Sequence, residues 1–173
     1  DITLTTGTST IPSRNLVIEG NNFSISEPTT SSYYNIPTNM TLEVKNMTIF
    51  GRSYYTTFSG RAGATASNTT IIYDSVQYNG PQFIHNPGGT TIIRGTTGVM
   101  QMSQPSGTTN PIQEIGEIGE LIIDDGATFT TDLAETTTYS AFWVYGSRGV
   151  AITIRDNAKV TINRPGTAAY IFY

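Results

Sequence analysis

A chain of 173 residues is one domain by length and long enough for a sizeable core. Charged residues make up 13% and the net charge is −4, with seven Arg and two Lys dispersed along the chain, which excludes the clustered positive charge of a nucleic-acid binder. Cysteine is absent and no apolar run reaches about 20 residues, which excludes disulfides, thiolate catalysis, Cys-based zinc sites and an apolar helical membrane span.

Thr is the commonest residue, at 30, and a Thr-, Gly-, Asn- and Tyr-rich mix favours strands and turns over helices. The alternation Ile2-Thr3-Leu4-Thr5 starts the first rung. Six short strands then end alike: Leu16 to Gly20, Leu42 to Asn46, Thr70 to Asp74, Thr91 to Gly95, Leu121 to Asp125 and Ile152 to Asp156. Each closes on Gly, Asn or Asp, residues that tolerate a sharp turn. The steps between closing residues are 26, 28, 21, 30 and 31, a spacing that predicts a solenoid.

Two positions before each turn stand Ile18, Val44, Ile72, Ile93, Ile123 and Ile154; four before stand Leu16, Leu42, Thr70, Thr91, Leu121 and Ile152. Strand alternation puts both sets on one face, assigned to the core. The intervening positions include Ile71, Ile92 and Ile122, an outward stripe that needs a cover, either the insert 101–118 or a ligand. One position before the turn, Glu19 lies over Lys45, and Arg94, Asp124 and Arg155 alternate in sign as a solvated ladder. A second strand follows each turn (Phe23 to Ile25, Met47 to Ile49, Val76 to Tyr78, Val99 to Gln101, Ala127 to Phe129, Ala158 to Ile162). A third, aromatic group lies further on: Tyr33 to Ile36, Tyr54 to Phe58, Gln82 to Ile84, Ala141 to Tyr145 and Ala169 to Phe172. Three strands per rung and about six rungs predict an all-β, right-handed, single-stranded parallel β-helix over 1–173. Because the sequence stops within a third strand, it reads as a segment of a longer surface protein attached to further domains.

The late repeats, Leu121-Ile122-Ile123-Asp124-Asp125-Gly126-Ala127-Thr128-Phe129, Ile152 to Ile162 and Pro165 to Tyr170, together with the opening Arg14 to Asn22, resemble the pectate-lyase-like adhesive domain of Firmicutes cell-surface proteins. The resemblance implies a right-handed parallel β-helix, an extracellular location on the bacterial cell surface or wall, and an adhesive role. It transfers no fixed set of functional residues.

The same architecture hosts pectin-degrading enzymes, which need clustered acids for Ca²⁺ or paired carboxylates. Asp74, Asp125 and Asp156 read as turn residues. Glu114, Glu117 and Glu120 alternate outward in a solvated loop, with a weak Ca²⁺ site as the sharper option; no cofactor is otherwise expected. The one histidine, His85, has no partner visible in the sequence, so no Ser/His/acid set or transition-metal site is expected. Four Asn-x-Ser/Thr sequons (Asn22, Asn39, Asn46, Asn68) follow from composition.

Aromatics are the stronger lead, because sugar C–H faces lie on aromatic rings. If Phe142 and Val144 fill the core, Trp143 and Tyr145 point outward, with Ile171 beside Trp143 and Tyr173 beside Tyr145. One of each pair Tyr33/Tyr34 and Tyr54/Tyr55 also faces out, and Arg148 is placed to meet an acidic sugar. The candidate ligand-binding residues are Trp143, Tyr145, Tyr173, Arg148, Tyr55 and Tyr34. The function expected is non-catalytic adhesion to a host or plant polysaccharide or glycoprotein. A carbohydrate lyase or hydrolase and a structural stalk are the alternatives.

Overall fold

The computed structural model describes residues 2–3, 5–60, 67–103, 111–145, 151–164 and 171–173. Among the described residues fifteen parallel strands stack as a β-solenoid of about five turns, and no helix occurs. In chain order the strands are β1 (Ile2–Thr3), β2 (Thr8–Thr10), β3 (Leu16–Glu19), β4 (Ser24–Ser26), β5 (Tyr33–Asn35), β6 (Thr41–Phe50), β7 (Phe58–Ser59), β8 (Thr70–Gly80), β9 (Ile84–Arg94), β10 (Thr96–Gln101), β11 (Gly116–Ile123), β12 (Thr128–Leu133), β13 (Phe142–Val144), β14 (Ile152–Ile154) and β15 (Lys159–Ile162).

Several strands turn a corner. The first halves of β6 and β8 and the last parts of β9 and β11 join β3 and β14 on the first face. The second face carries β1, β4, the ends of β6 and β8, β10, β12 and β15. The third carries β2, β5, β7, the starts of β9 and β11, and β13.

On the first face the inward columns run Leu16, Leu42, Ile71, Thr91, Leu121, Ile152 and Ile18, Val44, Tyr73, Ile93, Ile123; Ile154 continues the second column in register but is 56% exposed, outside the core expected for it. Five of the six predicted rungs keep their expected register. The rung at 70–74 is shifted by one: Ile71 and Tyr73, not Thr70 and Ile72, enter the core, and both are 1% exposed. The extra residue is taken up at Ser75, whose φ is +58, so Ser75 and not Asp74 makes the turn beside Asn46 (φ +52) and Gly95 (φ +54). In the last two rungs the positive φ falls one residue after the predicted Asp125 and Asp156, at Gly126 and Asn157. The outward stripe is therefore Ile72, Ile92 and Ile122, with Ile72 buried and the other two half-buried.

The expected cover for that stripe is corrected as well. Gly116 to Ile118 of the insert is a strand of the third face, in register with Ile84 to Asn86, and not a lid over the first. Residues 104–110 lie outside the described residues. The core behind the three faces is aromatic at its centre, where Phe83 packs on Tyr73 (4.4 Å between ring centroids), Tyr78 (5.2 Å) and Phe129 (6.3 Å). Such contacts add to the area that aromatic side chains bury. Outside, the sign-alternating ladder forms: Asp124 accepts from Arg94 Nε at 3.0 Å and Arg155 at 2.6 Å. Glu19, set opposite Lys45, instead accepts from the Asn46 side chain and the Asn21 amide.

Candidate functional site on the third face

The third-face strands β7 and β13 are two and three residues long, so the outer surface receives few side chains from each. Ser59 pairs with His85, His85 with Glu117 and Glu117 with Trp143. The neighbouring inward column is Phe58, Ile84, Gly116 and Phe142, with Phe172 stacked on Phe142. Gly116 is required there: a Cβ on it would lie 2.8 Å from Ile84 Cβ. At Gly119 the strand bulges toward the first face, and a Cβ would meet the Pro87 carbonyl at 2.7 Å. These two glycines let β11 carry Glu117 outward and then turn the corner.

The outward column would be open to water but for the segment 51–57, which folds over it. The Glu27 carboxylate holds this segment from beneath, accepting from the backbone N–H groups of Arg52 and Ser53 and the Thr57 hydroxyl. Burial raises the Glu27 pKa to about 7 against the lowering effect of those donors. Thr56, at φ +58, donates through its hydroxyl to the Phe83 carbonyl. Tyr55 then sets its ring edge-on to His85 at 4.9 Å, and Tyr54 reaches Glu117.

Glu117 is the hub. Its Oε1 accepts from the Tyr54 hydroxyl at 3.1 Å and Gln82 Nε2 at 3.3 Å, and its Oε2 accepts from the Tyr145 hydroxyl at 2.9 Å. His85 Nε2 lies 3.6 Å from Oε2, and its Nδ1 is 2.9 Å from Ser59 Oγ. Burial, followed by the charge of Glu117, pushes the Tyr54 hydroxyl pKa up. Burial and the bond to Glu117 bring that of Tyr145 to about 12. Glu114, also buried, is raised by burial and by the negative charge of Glu117. Its Oε2 and the Gln82 Oε1 have no hydrogen-bond partner. Arg164 donates to the carbonyls of Tyr139 and Gln113 and to Gln101 Oε1, and burial lowers its pKa to about 10.

Ser59, His85 and Glu117 thus make the hydroxyl–imidazole–carboxylate line that the sequence did not lead us to expect. Two further expectations are corrected: Glu114 and Glu117 are buried rather than solvated, and His85 has partners on both sides. Glu120 is half-buried and accepts from Thr90. Ser59 has no exposed surface, so its hydroxyl is not presented to a substrate. The three side chains form a buried polar ladder across the strand stack that continues to Trp143.

Three of the predicted binding residues come together beyond Glu117. Trp143 is 40% exposed, Tyr145 stacks beside it at 6.1 Å, and Tyr173, 68% exposed, meets it edge-on at 5.0 Å. The bridge between Phe142 and Phe172 sets this register, so Tyr173 and not Ile171 stands by Trp143. Tyr55 lies at the other end of the Glu117 network, against Tyr33, Tyr54 and His85, in a turn rather than the predicted strand. Tyr34 shares the inward column and stacks on Phe58 at 6.0 Å, so it is not on the outer face; Tyr33 faces out, beneath Tyr55. Arg148 lies outside the described residues.

Residues 1–85 match the family model described as "putative pectate lyase-like adhesive domain". No curated protein and no solved structure matches the chain. The matched segment ends at His85, so Glu117, Trp143, Tyr145 and Tyr173 all lie beyond it.

Proposed function

We propose that the chain is a non-catalytic adhesion module of a bacterial cell-surface protein, extracellular and joined to other domains. It binds a host or plant polysaccharide or glycoprotein through the outer side of its third face. The family match over 1–85 supports adhesion, and the cluster of Trp143, Tyr145 and Tyr173 carries the choice of site. Flat rings held on a sheet lose little freedom when a sugar ring lies on them, which favours binding. The enclosed Ser59 leaves the buried polar line without a reachable nucleophile, in keeping with binding without turnover.

A glycan and pectin binding screen at two pH values, with Trp143→Ala beside the wild type, tests this reading. Binding without product release, weakened at least tenfold in the variant, is expected. Binding at full strength in a folded Trp143→Ala removes the site, and steady release of shortened glycan removes the non-catalytic role.

A further inference from the structure

We infer that Glu117 is a positioning residue for the aromatic face: it holds Tyr145, and through Tyr145 the Trp143 indole, in the arrangement presented to a sugar, and the segment 51–57 takes part through Tyr54. The inference rests on the glycan-binding reading above and concerns how that same face is ordered before a ligand arrives. Tyr145 follows β13 and belongs to no strand; its amide is bonded to the Ile118 carbonyl. Its half-buried ring stacks beside Trp143 with 25° between the ring planes. A surface phenol has several side-chain rotamers open to it unless its far end is held. Here the far end is held, because the hydroxyl donates to Glu117 Oε2 at 2.9 Å. Glu117 is 6% exposed and is the cross-strand neighbour of Trp143, so the tether comes from the sheet itself. The indole in turn is bounded by the rings of Tyr145 and Tyr173.

A carboxylate aims one oxygen at Tyr145 only while its other oxygen is also fixed. Tyr54 and Gln82 do this, both donating to Oε1, at 3.1 Å and 3.3 Å. Gln82 has no exposed surface, so its influence on the outer face passes through Glu117 and not through contact with a ligand. Burial and the bond to Glu117 raise the Tyr145 pKa to about 12, so its hydroxyl remains a donor at neutral pH. A side chain that is already ordered loses no further freedom on binding, which strengthens affinity by about threefold to tenfold per side chain.

Trp143 is the one tryptophan of the chain, so intrinsic fluorescence reads this face with or without a ligand. The test measures two quantities on the full chain at pH 7. One is the fast component of the Trp143 anisotropy decay, which reports ring motion on the nanosecond scale. The other is the affinity for the tightest-binding of a β-glucan, an N-acetylglucosamine oligomer and an oligogalacturonate. Tyr145→Phe keeps the ring and removes the tether; Tyr54→Phe and Gln82→Met each remove a donor from the other carboxylate oxygen. Each is expected to enlarge the fast component and to weaken binding by about threefold to tenfold. Ser59→Ala, whose hydroxyl meets His85 rather than Glu117, is the control for a stability loss alone and should change neither quantity. In the double variant Tyr54→Phe/Tyr145→Phe the two losses should not multiply, because both act through one carboxylate. Wild-type affinity and Trp143 order in folded Tyr54→Phe and Gln82→Met overturn this inference and leave the adhesion reading standing; Tyr54→Phe alone decides where Gln82→Met does not fold. Losses that multiply in the double variant overturn it as well. No binding of any glycan removes the glycan reading, and the anisotropy then decides the positioning role alone: an enlarged fast component supports it and an unchanged one overturns it.

Discussion

Glu27 should make the stability of this protein fall as pH rises through neutrality. Glu27 is 3% exposed, and burial raises its pKa to about 7, against 4.5 for an ordinary glutamate. Between those values the folded chain keeps a proton that the unfolded chain has released. The contribution of Glu27 to stability is then full below about pH 4.5, declines with rising pH and is lost through pH 7. At 1.36 kcal/mol per pKa unit, the span corresponds to about 3 kcal/mol. The groups that face Glu27 are the Arg52 and Ser53 amides, the Thr57 hydroxyl, the Arg52 charge and, deeper in, the hydroxyls of Tyr73 and Tyr78. Glu27→Gln removes the titration but turns one amide donor toward a donor, with a baseline loss of about 1–2 kcal/mol. Urea unfolding at pH 5, 6, 7 and 8 measures both. The wild type is expected to lose about 2–3 kcal/mol relative to the variant across the series, so that its lead at pH 5 reverses by pH 8. A constant difference across the four pH values would refute the assignment of a neutral, buried Glu27.

Other expectations follow from packing and charge. Phe83→Ala opens a cavity among Tyr73, Tyr78 and Phe129 and should cost about 3–5 kcal/mol in chemical denaturation. Asp124→Asn loosens a partly exposed ladder between Arg94 and Arg155; a loss of no more than about 1 kcal/mol, shrinking at high salt, is expected. Ser59→Ala takes a hydroxyl from the buried His85 line and should cost about 1–2 kcal/mol while leaving glycan binding by Trp143 intact, as titration calorimetry would show.

The first face was the most legible part of the fold because its strands alternate cleanly and close on turn residues at steady intervals. Where Ile71 and Ile72 stand side by side, alternation cannot choose between them, and it is the bulky Tyr73 that fills the core. The third face was harder to read. Its strands are too short for a period, and Gly116-Glu117-Ile118 looks like a solvated loop until Ile84 and Phe142 are seen on either side. Trp143 and Tyr145 could be placed together from their own alternation. The polar hub could not, since Ser59, His85 and Glu117 are 26 and 32 residues apart and meet only because the coils stack. Tyr54 and Tyr55 were grouped with a strand, yet their contribution comes from a turn that Glu27 ties down.

Arg164 bears on how the stack of coils would respond to a pull at its last coil. Hydrogen bonds between coils run along the axis of the stack, so tension on the chain beyond β15 tends to lift the last coil away as a zipper opens. The Arg164 side chain interrupts that sequence. From the end of β15 it reaches the Tyr139 carbonyl in the coil of β12 and the Gln101 side chain in the coil of β10. Three coils are thereby tied by one side chain, so a pull on the last coil would have to break the Arg164 contacts before that coil peels.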